Sequence, residues 1–137
     1  MRNVTLGIAA LLFLSCSDSP TGPNEDKSVE GSWDLRSFQF TGGPVGMVLE
    51  PGFYTADFTA DGHVRARADC NRCSASYSAA GTSLEIGALA CTRAYCGESS
   101  LFDDYAAALD DATSFERSSS SLVIRNPRGS LQFAPKP

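Results

Sequence analysis

Residues 53–68, FYTADFTADGHVRARA, form two runs in which apolar side chains recur at every second position. Between the runs stands the dipeptide Asp61-Gly62, which favours a tight hairpin turn. Successive side chains of a strand point to opposite faces, so this stretch predicts an antiparallel hairpin with one apolar face. The side chains expected on that face are Tyr54, Ala56, Phe58, Val64, Ala66 and Ala68.

The same period-two pattern extends in both directions along the chain, through GSWDLRSFQF at 31–40, CSASYSAAGTSLEI at 73–86 and SSLVIRNPRGSLQF at 120–133. We expect a mainly β fold of the α+β type, in which a small antiparallel, barrel-like meander carries one packed helix. Bulky side chains should fill an eight-stranded interior and leave little room for a large ligand cavity. These side chains are Trp33, Phe38, Phe40, Tyr54, Phe58, Phe115 and Phe133.

One stretch breaks the alternation and predicts the helix. In SSLFDDYAAALDD, residues 99–111, the apolar side chains of Phe102, Tyr105, Ala106 and Leu109 recur at helical spacing. Ser100 stands where an N-cap is expected, with an acidic residue three positions on. The pattern predicts an amphipathic helix of about three turns packed on the sheet.

The N-terminus, MRNVTLGIAALLFLSC, has one cation, a short apolar run and a small residue directly before Cys16. This order predicts a secretory signal peptide over residues 1–15, and the Leu-Ser-Cys ending resembles the lipidation site of bacterial lipoproteins. Residues 16–28 are then a lipidated cysteine and a polar tether, and residues 29–134 form the folded domain. The alternative is an ordinary signal peptide with an incidental cysteine. We expect an exported protein, lipid-anchored in the cell envelope at the outer membrane or periplasmic face.

Charge and motifs argue against several classes of protein. Lys and Arg total 11 against 16 for Asp and Glu, which gives a net charge of −5, and no basic run invites nucleic acid. No nucleophile, phosphate-binding or metalloprotease motif occurs, and His63 is the only histidine. We therefore expect no catalytic residue, cofactor or metal site. A membrane reached through the N-terminal lipid, and an unknown envelope protein or small ligand, are the expected partners.

Four cysteines in DCNRCSASY and ACTRAYC, residues 69–77 and 90–96, could form disulfides, a zinc site or a redox pair. Cysteine thiols of an exported protein meet an oxidising environment, which favours disulfides over a zinc site or a redox pair. In an antiparallel hairpin, the residue numbers of partners have a constant sum. Pairing Cys70 with Cys96 and Cys73 with Cys91 gives sums that differ by two residues, whereas the crossed pairing gives sums far apart. Bonds within each close pair are chemically allowed, although they would leave the long loops unconstrained.

These stretches together resemble the META domain family, which includes HslJ-like bacterial lipoproteins, over about residues 29–134. Matching positions include Cys70, Asn71, Arg93 and Cys96. Cys73 stands where the family usually has an aromatic residue, and Cys91 where it usually has Ser or Thr, which suggests that these two bond to each other. The family usually has Gly where this chain has Asp69 and Ala75.

The resemblance implies a compact β-barrel-like sheet with one helix, in envelope proteins of which some are linked to stress or antibiotic tolerance. It implies no catalytic residue. Asn71 and Arg93 are the polar residues it marks for interaction, although Asn71 could instead cap a turn and Arg93 could pair with a carboxylate. We expect a non-catalytic binding or interaction module. The alternatives are a small-ligand carrier or an inhibitor of an envelope enzyme.

Overall fold

The computed structural model describes residues 28–137 of the 137-residue chain. Residues 28–137 form ten strands, a 3-10 turn at Pro51–Phe53 and one helix, and the helix lies in the stretch of helical period. The strands are β1 Gly31–Phe40, β2 Val45–Met47, β3 Tyr54–Phe58, β4 His63–Ala68, β5 Asn71–Ala80, β6 Ser83–Ile86, β7 Ala90–Cys91, β8 Ser114–Arg117, β9 Leu122–Asn126 and β10 Gly129–Pro135. Helix α1 spans Phe102–Asp110.

Eight of these strands close into an antiparallel barrel in the order β10-β9-β8-β6-β5-β4-β3-β1, because β1 pairs again with β10. The remaining strands lie outside the ring, β2 on β1 and β7 on β5. Gly129 lies at the closure opposite Phe40, with a φ of 147°. A Cβ there would overlap the backbone of Gln39, so the seam requires glycine at this position. The predicted mainly β, barrel-like fold is confirmed.

Apolar side chains fill the barrel as the alternation predicted. Every side chain expected on the apolar face of the β3–β4 hairpin is buried. The bulky residues Trp33, Phe115 and Phe133 are buried as well, whereas Phe38 and Phe40 are only half-buried. A bulge between Leu35 and Ser37 shifts the register of β1 just before these two rings, which pack on each other with centroids 5.2 Å apart.

Helix α1 packs on the barrel through a slightly different face from the predicted one. Tyr105, Ala108 and Leu109 are its buried residues, whereas Ala106 is only partly buried. Three consecutive alanines give the sequence little contrast for locating the face. The N-cap is Leu101, without a side-chain bond, and Ser100 Oγ accepts from the amide of Phe102 at 3.2 Å. The prediction that Ser100 is the N-cap was therefore wrong by one residue.

The predicted signal peptide, the lipidated Cys16 and most of the tether lie outside the described residues. Ser28, assigned to the tether from the sequence, already contacts the barrel, since its carbonyl accepts from Arg117 Nη1 at 2.7 Å. Among residues 28–137, no helix is both long enough and apolar enough to span a bilayer.

Candidate interaction site

Two disulfides join the segments that the sequence singled out. Cys73 bonds to Cys91 and Cys70 bonds to Cys96, with Cα–Cα distances of 4.1 and 5.6 Å, so the predicted pairing is confirmed. The inner bond is a true cross-strand pair, since β5 and β7 place Cys73 opposite Cys91. The outer bond is not a second rung of that ladder, because the regular pairing of β7 ends at Cys91. Both bonds require an oxidising environment, which indicates an extracytoplasmic protein.

Asn71 binds the loop that follows the end of the ladder. Its side chain is 0% exposed, and the 92–96 loop wraps around it. Oδ1 accepts from the hydroxyl of Thr92 at 3.0 Å and from the amide of Ala94 at 2.7 Å. Nδ2 donates to the carbonyl of Ala94 at 3.0 Å and to Sγ of Cys96 at 3.3 Å. One buried amide thus fixes the loop from both sides, and Asn71 itself has no free group to offer a partner.

The fixed loop displays Arg93 and Tyr95. Tyr95 is 82% exposed, and the Arg93 side chain makes no hydrogen bond or ion pair within residues 28–137. An aromatic ring and a guanidinium are the side chains most enriched among residues that dominate protein interfaces. Because the loop is held by a disulfide and a buried amide, it can bind a partner with little loss of conformational entropy.

A groove of about 190 Å³ lies between this loop and helix α1. Leu89 and Phe102 give it apolar walls, and Arg93 faces the same space as Asp103. Asp110 closes one side, where its Oδ1 accepts from the amide of Leu89 at 3.0 Å. Asp110 therefore ties the 87–91 segment to the helix, a contact that the sequence did not predict.

The barrel interior is closely packed. Trp33, Phe115 and Phe133 are buried in it, and the half-open cleft beside Leu35, Phe38 and Tyr105 holds only about 10 Å³. Tyr105 reaches into this core and donates its hydroxyl to the carbonyl of Thr55 at 2.8 Å. Burial, with the nearby charges of Asp57 and Asp34, raises the pKa of Tyr105 well above its ordinary value. A neutral tyrosine occupies the position where a carrier would need its cavity.

The titratable groups considered from the sequence are exposed or take part in structural contacts. His63 Nδ1 lies 3.3 Å from Asp61 at the exposed β3–β4 turn. Hydrogen bonds from the hydroxyl of Thr59 and from His63 lower the pKa of Asp61. At the helix end, Asp111 pairs with Arg128 at 3.3 Å. Residues 28–137 contain no group of three or more His, Cys, Asp or Glu side chains arranged to hold a metal ion.

A second exposed surface was not predicted from the sequence. Among the strands of residues 28–137, β2 pairs only with β1, and the apolar side chains of Met47, Leu49 and Phe53 line an open depression of about 420 Å³ beside it. Leu49 is 93% exposed. The segment GGPVGMVLEPG, residues 42–52, lacks the alternation of a half-buried strand. The only sign in the sequence that its apolar side chains are exposed is this lack of a regular period.

Taken together, these features define a small, closed β-barrel with one packed helix and a disulfide-fixed loop for display. The META domain model matches residues 27–137. The chain therefore belongs to the META domain family.

Solved structures show the same fold in bacterial proteins. One is an NMR structure of a protein from Burkholderia xenovorans, with 21% identity and a TM-score of 0.66, covering 99% of this chain and 97% of that one. Another is a crystal structure of a DUF4847 family protein from Bacteroides vulgatus, with 16% identity and a TM-score of 0.57, covering 77% of this chain and 92% of that one. A search of the curated proteins found no match.

Proposed function

We propose that this protein is an exported lipoprotein, anchored in the bacterial envelope through acylated Cys16, and that its META barrel is a non-catalytic module that binds another envelope protein. The observation that carries the proposal is the 92–96 loop, which a disulfide and Asn71 hold while Tyr95 stays 82% exposed. Roles in stress or antibiotic tolerance, which the family resemblance implies, would be exercised through that partner.

The loop and its groove specify the chemistry of the partner. Tyr95 offers an aromatic anchor, and Arg93 offers an unpaired guanidinium beside an apolar groove. A complementary surface would cover the ring with apolar groups and bring a carboxylate to Arg93, since Arg binds carboxylates in a bidentate manner. The alternative of an enzyme inhibitor is the case in which this partner is an envelope enzyme whose cleft receives the loop. The bulky side chains buried in the barrel, among them Trp33, Phe115 and Phe133, argue against the carrier alternative.

Site-specific photo-crosslinking in cells tests the binding surface. A photoreactive phenylalanine analogue in place of Tyr95 should capture a partner that the same analogue in place of Ser119, exposed in the β8–β9 turn, does not capture. With the identified partner purified, Tyr95→Ala should weaken binding at least about tenfold, as expected for an interface anchor.

Leu49→Ala is the matched control, because it removes another highly exposed apolar side chain, from the surface beside β2. We expect unchanged affinity for this variant. Equal capture from positions 95 and 119, or a loss confined to Leu49→Ala, would reject the loop as the binding surface.

Membrane anchoring is tested separately. Cys16→Ser should move the protein from the membrane to the soluble envelope fraction, and the wild-type N-terminal peptide should carry acyl mass. Recovery of wild-type protein without that mass would remove the lipoprotein part of the proposal and leave the binding surface open to its own test.

A further inference from the structure

The outer face of the β3–β4–β5 sheet gathers positive charge on an otherwise acidic protein. An open depression of about 430 Å³ is lined by Arg65, Arg67, Arg72 and Lys136, with Asp57 as its one carboxylate. Four cations against one anion contrast with 11 against 16 over the whole chain. Ordinary solvation of a net-acidic surface gives no reason for such a grouping.

Strand register forces two of these cations together. Arg67 on β4 lies directly opposite Arg72 on β5, and like charges in that relation destabilise a sheet. No carboxylate within residues 28–137 forms an ion pair with Arg65, Arg72 or Lys136. Asp57 lies opposite Arg65 on the neighbouring strand without a salt bridge to it. No ion pair with a carboxylate of the described chain therefore offsets the repulsion between Arg67 and Arg72.

Arg67 is oriented for binding by contacts that leave its terminal nitrogens free. Its guanidinium carbon lies 4.3 Å from the centroid of the Phe53 ring, and Nε donates to the carbonyl of Asp69 at 2.9 Å. These two contacts hold the plane of the guanidinium, and neither Nη group donates a hydrogen bond within residues 28–137. A fixed arginine fork loses little entropy when it binds an anion.

Closure of the barrel brings in the fourth cation. The amide of Lys136 donates to the carbonyl of Ser32 at 2.9 Å, which places the end of the chain beside the row that contains Asp57 and Arg65. Ser74, the cross-strand partner of Arg65, adds a hydroxyl to the same depression. The site thus combines a rigid fork, three cations that form no ion pair within residues 28–137, and the hydroxyl of Ser74.

We propose that this depression, distinct from the 92–96 loop, binds a phosphate-type dianion. Several cations around a net positive site favour an anion with more than one charge, and the arginine fork matches the geometry of phosphate oxygens. The bound group could be a soluble phosphate ester or the phosphate of a lipid headgroup, which share this chemistry.

Thermal unfolding of the full chain, followed by the fluorescence of buried Trp33, tests the site with inorganic phosphate against chloride at equal ionic strength. At a phosphate concentration ten times Kd, we expect Tm to rise by about 5 °C. Arg72→Ser should abolish this rise. It should also raise Tm without phosphate by about 1–4 °C, because the like-charged pair is removed.

Arg36→Ser is the matched control, since Arg36 is exposed and lies outside the depression. It should keep the full phosphate response. The absence of any rise specific to phosphate, an unchanged rise in Arg72→Ser, or an equal loss in Arg36→Ser would overturn the site.

Vesicles distinguish the two sources of phosphate. The full chain carrying Cys16→Ser, so that acylation cannot hold it, is sedimented with phosphatidylglycerol or phosphatidylcholine vesicles. Binding to the anionic vesicles alone, lost in Arg72→Ser and competed by inorganic phosphate, assigns a headgroup. A phosphate response without vesicle binding assigns a soluble ester.

Discussion

Replacing Asn71 by aspartate should make the stability of the barrel depend on pH in a way that wild type does not. The substitution keeps the shape and keeps Oδ1, which accepts from Thr92 and Ala94. It replaces the Nδ2 donor by an oxygen that faces the carbonyl of Ala94 at 3.0 Å. When protonated, the new carboxyl can still donate to that carbonyl, and when ionised it cannot.

The magnitude follows from the four hydrogen bonds of a side chain that is 0% exposed. At about 1 kcal/mol each, Asn71→Ala should lower the free energy of unfolding by about 2–4 kcal/mol, because the bond to sulfur is weak and water can reach the exposed loop. That loss should change little with pH. Asn71→Asp should lose a similar amount at neutral pH, where a buried charge faces a carbonyl oxygen.

The sign of the pH effect is fixed by burial. Because the position is fully buried and the new oxygen would face the carbonyl oxygen of Ala94, we expect the introduced carboxyl to have a raised pKa in the folded protein, so that the folded state binds more protons than the unfolded state. The stability that the protonated carboxyl contributes to the folded state is fully present below the ordinary carboxyl pKa and is lost as the pH rises through the pKa in the folded protein. Urea unfolding at about pH 3 and at about pH 7 measures the difference between the Asp and Ala variants. Parallel pH profiles for the two variants would refute the assigned roles of Oδ1 and Nδ2.

Leu109→Ala should cost about 2–5 kcal/mol in urea unfolding, since Leu109 is 0% exposed, whereas Asp110→Ala should cost about 0.5–1.5 kcal/mol through the lost bond to Leu89. Equal costs would contradict the packing of the helix. Reduction of both disulfides should lower the unfolding free energy by about 3–5 kcal/mol, with the inner bond contributing less because the outer one already restricts its loop. A fold unaffected by reductant would argue against that role. Asp69 has a φ of 60°, so Asp69→Gly should change stability by less than about 1 kcal/mol while Asp69→Val loses about 2 kcal/mol, as measured by thermal unfolding. Because burial raises the pKa of Tyr105, the stability it contributes is present below the ordinary tyrosine pKa and should fall as the pH rises above it. Tyr105→Phe should flatten that alkaline decline.

The local spacing of apolar residues was enough to predict the barrel and the helix, but it did not predict which side of the fold every residue faces. The expected face of the β3–β4 hairpin is buried as a unit, because alternation over five or six residues admits one register. In α1, by contrast, the sequence offers three neighbouring alanines, and only packing decides that Ala108 lies inside and Ala106 does not. Phe38 lies on the same face as Leu35 only because the bulge at Leu35/Ser37 shifts the register of β1 against β10, and local pattern does not specify that long-range pairing.

Both disulfides were predicted correctly, although the reasoning from strand register explains only one of them. A constant sum of residue numbers predicted both bonds, and the inner pair obeys it. The outer pair departs by two residues because the chain bends around Asn71 after Thr92. The sequence does contain one sign of this bend, because the polar residue Asn71 directly follows Cys70. Its role as a loop clamp depends on four contacts made 21 to 25 residues away, which local pattern cannot supply.

Most of the cationic depression could have been predicted from the sequence, because strand alternation determines which face carries the polar residues as well as the apolar ones. In HVRARADCNRCS, Arg65 and Arg67 share the face opposite Val64 and Ala66. The two-residue connection between Ala68 and Asn71 then sets Arg67 opposite Arg72. A search for basic runs misses this group, because strand alternation separates its members by neutral residues. Lys136 joins them only through closure of β10 on β1, a long-range pairing that local periodicity does not specify. The acidic net charge of the chain and its local positive site are therefore compatible, because net charge describes composition and binding depends on which charges share a face.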